Sequence, residues 1–120
     1  MILRRASTND WIEFYGKPPE WSVKALCAVM GGTIAGMTGL IYRPDMVVAF
    51  GDMKPGIGRK TLWLATQWMA GMLDRQTRQV VAIASPKYRT SAGLLRHLGF
   101  EHVGPSPDGE VYRWRKQRSR

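Results

Sequence analysis

The chain has 120 residues and a single cysteine, Cys27. No disulfide can close within it, and one thiol gives no metal-ligand spacing. Cys27 sits in the apolar run Ala25 to Met30 and reads as a small buried hydrophobe. No stretch approaches the ~20 apolar residues of a membrane span. The start, Met1-Ile2-Leu3-Arg4-Arg5, lacks the apolar core of a secretory signal, so the expected location is the cytoplasm. Internal repeats are absent, and so is low-complexity sequence outside the C-terminus. Acidic residues are scarce, nine against 18 Lys and Arg, giving a net charge of +9.

What remains is the composition of an ordinary globular protein, 44% hydrophobic and 22% charged. Its length suits one domain over residues 1–120, with a basic tail at 116–120. Five of the 18 basic residues lie in the last eight positions: Arg113, Arg115, Lys116, Arg118 and Arg120. The other 13 leave the body at +4. That tail is either a polyanion-binding element for nucleic acid or a solubilising end. Tyr112 and Trp114 alternate with its first basic residues as strand residues do.

The pattern predicts β-α-β-β-β-α-β-α-β-β. Ile2 to Ala6 is a strand, and Ser7-Thr8-Asn9-Asp10 has the S-x-x-D form of a helix cap. The helix carries Trp11, Phe14 and Tyr15 and stops at Gly16-Lys17-Pro18-Pro19. Strands at Ala25 to Met30 and Thr33 to Tyr42 flank a Gly31-Gly32 turn. A buried strand follows at Met46 to Phe50. Residues 59 to 76 form the clearest helix, with Leu62, Ala65, Met69, Met72 and Leu73 on one face, widened by Trp63 and Trp68. Val80 to Ala84 is a strand apolar throughout, as helices on both faces of a sheet would demand. Ser91, Leu94, Leu95 and Leu98 mark a last helix, ended by Gly99. Short strands follow at Glu101 to Val103 and Val111 to Trp114.

The segment from Val48 to Lys60 joins a buried strand to the best helix. Backbone N–H groups at a helix start lack intrahelical partners, and the helix dipole adds positive potential there. Gly56 and Gly58 keep side chains away from an approaching phosphate, and Lys54, Arg59 and Lys60 add charge. A structural turn would use glycines too. The dinucleotide-binding fingerprint needs a third glycine and parallel strands, and the P-loop needs a different spacing before Lys and Thr; neither fits.

Met53-Lys54-Pro55-Gly56-Ile57-Gly58 is similar to the coenzyme loop of the GCN5-related N-acetyltransferase family. Leu94-Leu95-Arg96-His97-Leu98-Gly99-Phe100 resembles the family's late Leu-Gly-Phe signature. The opening Leu3-Arg4-Arg5-Ala6 and the hairpin Gly31-Gly32-Thr33-Ile34-Ala35-Gly36 are also similar to members. The resemblance implies a mixed, mostly antiparallel sheet of six to seven strands flanked by helices. It implies acetyl-coenzyme A as co-substrate and an amine on a small molecule or protein as acceptor. The strand around Val48 would pair with the pantetheine arm. Met53, Gly56, Ile57, Gly58, Arg59 and Lys60 would form the cofactor loop, with backbone amides from Gly56 to Lys60 on the pyrophosphate.

Two positions depart from the family. Met53 replaces the usual Arg or Gln, and Leu95 replaces the tyrosine that commonly protonates the leaving thiolate. Tyr88 and His97 are then the candidate acids. Asp52 is the carboxylate nearest the loop, read as a turn residue. The first helical region is short, so the acceptor side is either open or completed by a second subunit in a homodimer. Two further readings stand beside the transferase. One is a non-catalytic protein of this fold, structural or accessory in a tailed bacteriophage and so virion-associated. The other is a polyanion-binding module.

Overall fold

The computed structural model describes residues 1–84, 90–107 and 109–114. The element order is the one the sequence pattern predicts: β1 (Ile2–Arg5), α1 (Thr8–Tyr15), β2 (Ser22–Met30), β3 (Thr33–Tyr42), β4 (Val47–Met53), α2 (Arg59–Asp74), β5 (Val80–Ala84), α3 (Thr90–Leu98), β6 (Phe100–Ser106) and β7 (Gly109–Trp114). All seven strands join one sheet in the order β1-β2-β3-β4-β5-β7-β6. Every neighbouring pair is antiparallel except β4 with β5, which is parallel.

Local chemistry sets the boundaries. Ser7 caps α1: its Oγ accepts from Asp10 N (3.2 Å), and Asp10 Oδ2 accepts from Ser7 N (2.7 Å). This reciprocal pair satisfies two backbone donors at the helix start. Asp10 also binds Arg4 of β1, with Nη1 to Oδ2 at 2.5 Å and Nη2 to Oδ1 at 3.0 Å. The guanidinium and the Ser7 amide hold the Asp10 carboxyl at about 2, below its ordinary 3.8. Gly31 and Gly32 take φ of +59° and +79°, the twist that a two-residue hairpin needs.

Four strands run longer than their local sequence suggests; β6 and β7 extend into their connecting turn, where Gly104, Pro105 and Ser106 pair with Val111, Glu110 and Gly109. β2 starts at Ser22 because Ser22, Val23 and Lys24 pair with Tyr42, Ile41 and Leu40. β4 continues through Gly51-Asp52-Met53, which pair with Thr38, Met37 and Gly36. Cross-strand pairing overrides the turn preference of Gly-Asp, so Asp52 is a strand residue and not a turn residue.

The sheet has two unequal faces. On one, α2 and α3 bury a core that includes Leu40, Val47, Ala49, Met69, Leu73, Val80, Ala82 and Leu95. On the other, the aromatic side of α1 packs over Ala25, Cys27, Ile34 and Met37. Cys27 is fully buried there, as expected, and burial pushes its thiol up. Helix α1 has only eight residues and packs mainly on β3. On that face of β5 Val81 is half-buried and Ile83 is 38% exposed among the described residues, contrary to the two-sided cover the apolar run suggests. A second correction concerns Trp63, which is 58% exposed rather than part of the buried stripe. Trp68 does pack against the core. Among the described residues no helix is long and apolar enough to cross a membrane.

Candidate functional site

β4 and β5 pair over three residues only, Val47 to Ala49 against Val80 to Ala82. Beyond that they part company. Phe50 to Met53 pair with β3 alone, and Ile83 and Ala84 with β7 alone. A wedge thus opens between two parallel strands, with one edge of β4 unpaired along its wall among the described residues. Backbone groups on such an edge can accept an extended ligand as an added strand. The family resemblance implies such pairing around Val48. Val48 is already paired on both sides, to Ile41 and Val81, so the free edge begins two residues later, at Phe50.

The wedge leads directly into the glycine loop. Gly56 takes φ of +100°, a conformation side-chain-bearing residues rarely adopt. Gly58 is the N-cap of α2 at φ −71°, so its backbone alone does not require glycine. A Cβ there would point into open space, leaving the approach to the helix start clear. Among the described residues no side chain caps α2, and no acid sits in its first turn. Its orphan N–H groups are therefore left for a ligand, beside the exposed Arg59 and Lys60.

The loop is anchored from beneath. Met53 is buried and Ile57 half-buried, and both lie over Gly36 of β3, where a Cβ would collide with Met53 Sδ and Ile57 Cδ1. Met53 thus holds the loop by packing, where a polar side chain would hold it by hydrogen bonds. Lys54 N donates to Ala35 O at 2.9 Å, tying the strand end to β3. Its Nζ lies 5.4 Å from the centre of the Phe14 ring.

No family model matches the sequence, and no curated protein matches it. Solved structures do match the architecture. The ribosomal-protein-S18-alanine N-acetyltransferase from Escherichia coli is 15% identical, covering 98% of this chain and 95% of that one, with a TM-score of 0.60. The PaiA N-acetyltransferase from Thermoplasma acidophilum, solved in complex with coenzyme A, is 10% identical at a TM-score of 0.59, over 89% of this chain and 67% of that one. An acetyltransferase of this family from Streptococcus pneumoniae is 14% identical at a TM-score of 0.56, over 93% and 95%. The fold is that of the GCN5-related N-acetyltransferases.

Within this acetyltransferase fold the expected acids fare differently. Tyr88 lies outside the described residues. His97 is exposed in the last turn of α3. That turn runs into Phe100, which pairs with Trp114 beside the Val80 end of β5, whereas the wedge opens at the Ala84 end. The structure does not bring His97 to the loop. Leu95 is 5% exposed and belongs to the core, so its position serves packing, as its stripe suggested.

A different pair faces the site. The hydroxyl of Tyr15, the last residue of α1, donates to Asp52 Oδ2 at 2.6 Å. Asp52 is half-buried on the free stretch of β4, and Tyr15 is fixed by Trp11 (ring centroids 4.4 Å), Phe14 (4.9 Å) and Phe50 (6.3 Å). The sequence names both residues, but nothing in it links positions so far apart. The one available signal is an acid within a few residues of a glycine loop.

Proposed function

We propose that this chain is an acetyl-coenzyme A-dependent N-acetyltransferase acting on an amine. The observation that carries the reading is continuity: the unpaired edge of β4 runs straight into the uncapped start of α2. An acyl-pantetheine pyrophosphate needs those two features in that order, main-chain partners for an extended amide arm, then N–H donors for phosphates. Phe50 to Met53 would hold the arm. The amides from Gly56 to Lys60 would hold the pyrophosphate, with Arg59 and Lys60 adding charge.

Bound in this way, the thioester would supply an activated acetyl group; the C–N bond to the amine would form as the C–S bond breaks, with the thiolate leaving and taking a proton from water. The chain's own task is to orient the amine and take its proton. Amines arrive largely as ammonium ions at neutral pH and must lose a proton to attack. Asp52 is the carboxylate at the mouth of the wedge and accepts that proton, directly or through one water. The phenol of Tyr15 engages Oδ2, so Oδ1 would be the oxygen that takes the proton. Enforced proximity of amine and thioester supplies much of the rate.

One observation favours the non-catalytic alternative. Leu95 fills with hydrocarbon the place where the family resemblance puts a tyrosine. Calorimetry with acetyl-coenzyme A, followed by a thiol-release assay over a panel of small amines and peptide N-termini, separates the two. Micromolar binding with turnover is expected. Binding without transfer to any acceptor assigns the chain to the non-catalytic reading, and no binding removes the transferase reading.

A further inference from the structure

A second cleft lies on the α2 face of the sheet, at the opposite end of the helix from the glycine loop. Its volume is about 160 Å³, and Arg5, Lys24, Trp68, Met72 and Arg75 line it. Helix α2 has 16 residues, which puts this cleft roughly 24 Å along the helix axis from the loop. The two are separate sites.

Strand alternation builds the cluster. Arg4 turns to the α1 face and is neutralised there by Asp10. Arg5, one residue on, turns to the α2 face and pairs in register with Leu26, while Lys24 pairs with Leu40. Lys24 Nζ sits 5.9 Å over the ring of Tyr42. Arg75 closes α2 as its C-cap, with Nη1 4.0 Å from Met72 Sδ. Three cations from three elements therefore converge on one opening. Among the described residues none of the three forms a salt bridge, and no carboxylate lines the cleft. The half-buried indole of Trp68 forms the wall between them.

We propose that this cleft binds a nucleoside phosphate, with the base against Trp68 and the phosphate between Arg5, Lys24 and Arg75. Guanidinium groups match phosphate oxygens in pairs, and an indole stacks on any base. Cations gathered round a cleft without counter-charge repel one another and are relieved by a bound anion. The same chemistry is offered by a free nucleotide and by one nucleotide of a single strand. The proposal is independent of the transferase reading.

The test uses the full chain carrying Gly58→Asp, which removes the glycine loop as a competing phosphate site. Calorimetry at low salt is run with adenosine monophosphate and with a short oligodeoxyadenylate. Saturable binding is expected, weakened about tenfold by Arg5→Gln and by Lys24→Gln, each removing one charge-assisted bond from an exposed position. Trp68→Leu should lose the mononucleotide yet keep the weaker binding of inorganic phosphate, with a thermal melt confirming its fold. Binding of the mononucleotide supports a free nucleotide, and binding of the oligomer alone supports a single strand. The proposal is overturned by no saturable binding of either, by binding that Arg5→Gln and Lys24→Gln leave unchanged, or by binding lost only when the chain is cut after Arg115.

Discussion

Tyr15 closes α1 by donating its hydroxyl to Asp52 Oδ2 at 2.6 Å, tying the helix to the stretch of β4 that, among the described residues, β5 leaves unpaired. Residues 37 positions apart thus meet where an acceptor amine would approach. Asp52→Asn keeps the shape and removes the basic oxygen. We expect kcat to fall by roughly 10²–10⁴ with little change in acetyl-coenzyme A affinity. Tyr15→Phe keeps the ring cluster but frees the carboxylate, and should lower kcat by a smaller factor. Transfer rates unchanged in Asp52→Asn, across a pH series, would remove the carboxylate from the mechanism.

The loop makes a sharper prediction. Gly58→Asp places a carboxylate at an uncapped helix start, where it caps the donors meant for phosphate and repels the ligand. The built Cβ meets no atom and the backbone angle is ordinary, so the fold should survive and even gain slightly in stability. Acetyl-coenzyme A affinity should drop at least about tenfold. A stable variant with unchanged affinity would place the pyrophosphate elsewhere.

How far the sequence led depends on the range of the signal. The capping box at Ser7 and Asp10, the Gly31-Gly32 turn and the stripe of α2 are local patterns, and each sits where its pattern puts it. The glycine loop was legible for the same reason, since Gly56, Gly58 and the helix start are adjacent in the chain. Gly-Asp prefers turns, and the three β3 partners that make Asp52 a strand residue lie elsewhere in the sequence. An indole suits a buried face, yet among the described residues no element covers Trp63 on that side of α2. The wedge was invisible in principle. It exists because β4 and β5 share only three pairs, a property of sheet geometry and of no single residue.

Acid should test the junction of β1 and α1. Asp10 titrates at about 2 in the folded chain against 3.8 ordinarily, chiefly through Arg4 and then the Ser7 amide. A carboxyl with a lowered folded value contributes stability that is complete above its unfolded value and lost as pH falls through the folded one. The contribution, of order 1–2 kcal/mol, should therefore fade between about pH 5 and pH 2. Asp10→Asn should destabilise the protein by roughly 1–3 kcal/mol at neutral pH and flatten that part of the profile. Equal acid slopes for the two proteins in urea melts would mean that Asp10 is not held as the structure shows.

Gly36 and Gly39, on the same strand, should answer alanine in opposite ways. At Gly39 a Cβ would run into Lys24 O and the Cα of Ala25, which belong to the backbone of β2. A strand backbone cannot yield without breaking its ladder, so Gly39→Ala should cost more than about 3 kcal/mol, the upper end of ordinary overpacking. At Gly36 the obstacles are Met53 Sδ and Ile57 Cδ1, the far ends of side chains that can rotate aside. The stability cost there should be nearer 1 kcal/mol. Those two side chains also carry the glycine loop, so their displacement should weaken acetyl-coenzyme A binding by more than the melt suggests. Adding Met53→Ala to Gly36→Ala relieves the contact and should recover part of the affinity, a coupling that a double-mutant cycle reads directly. If Gly36→Ala leaves affinity intact while lowering stability, the loop does not depend on its packing over β3.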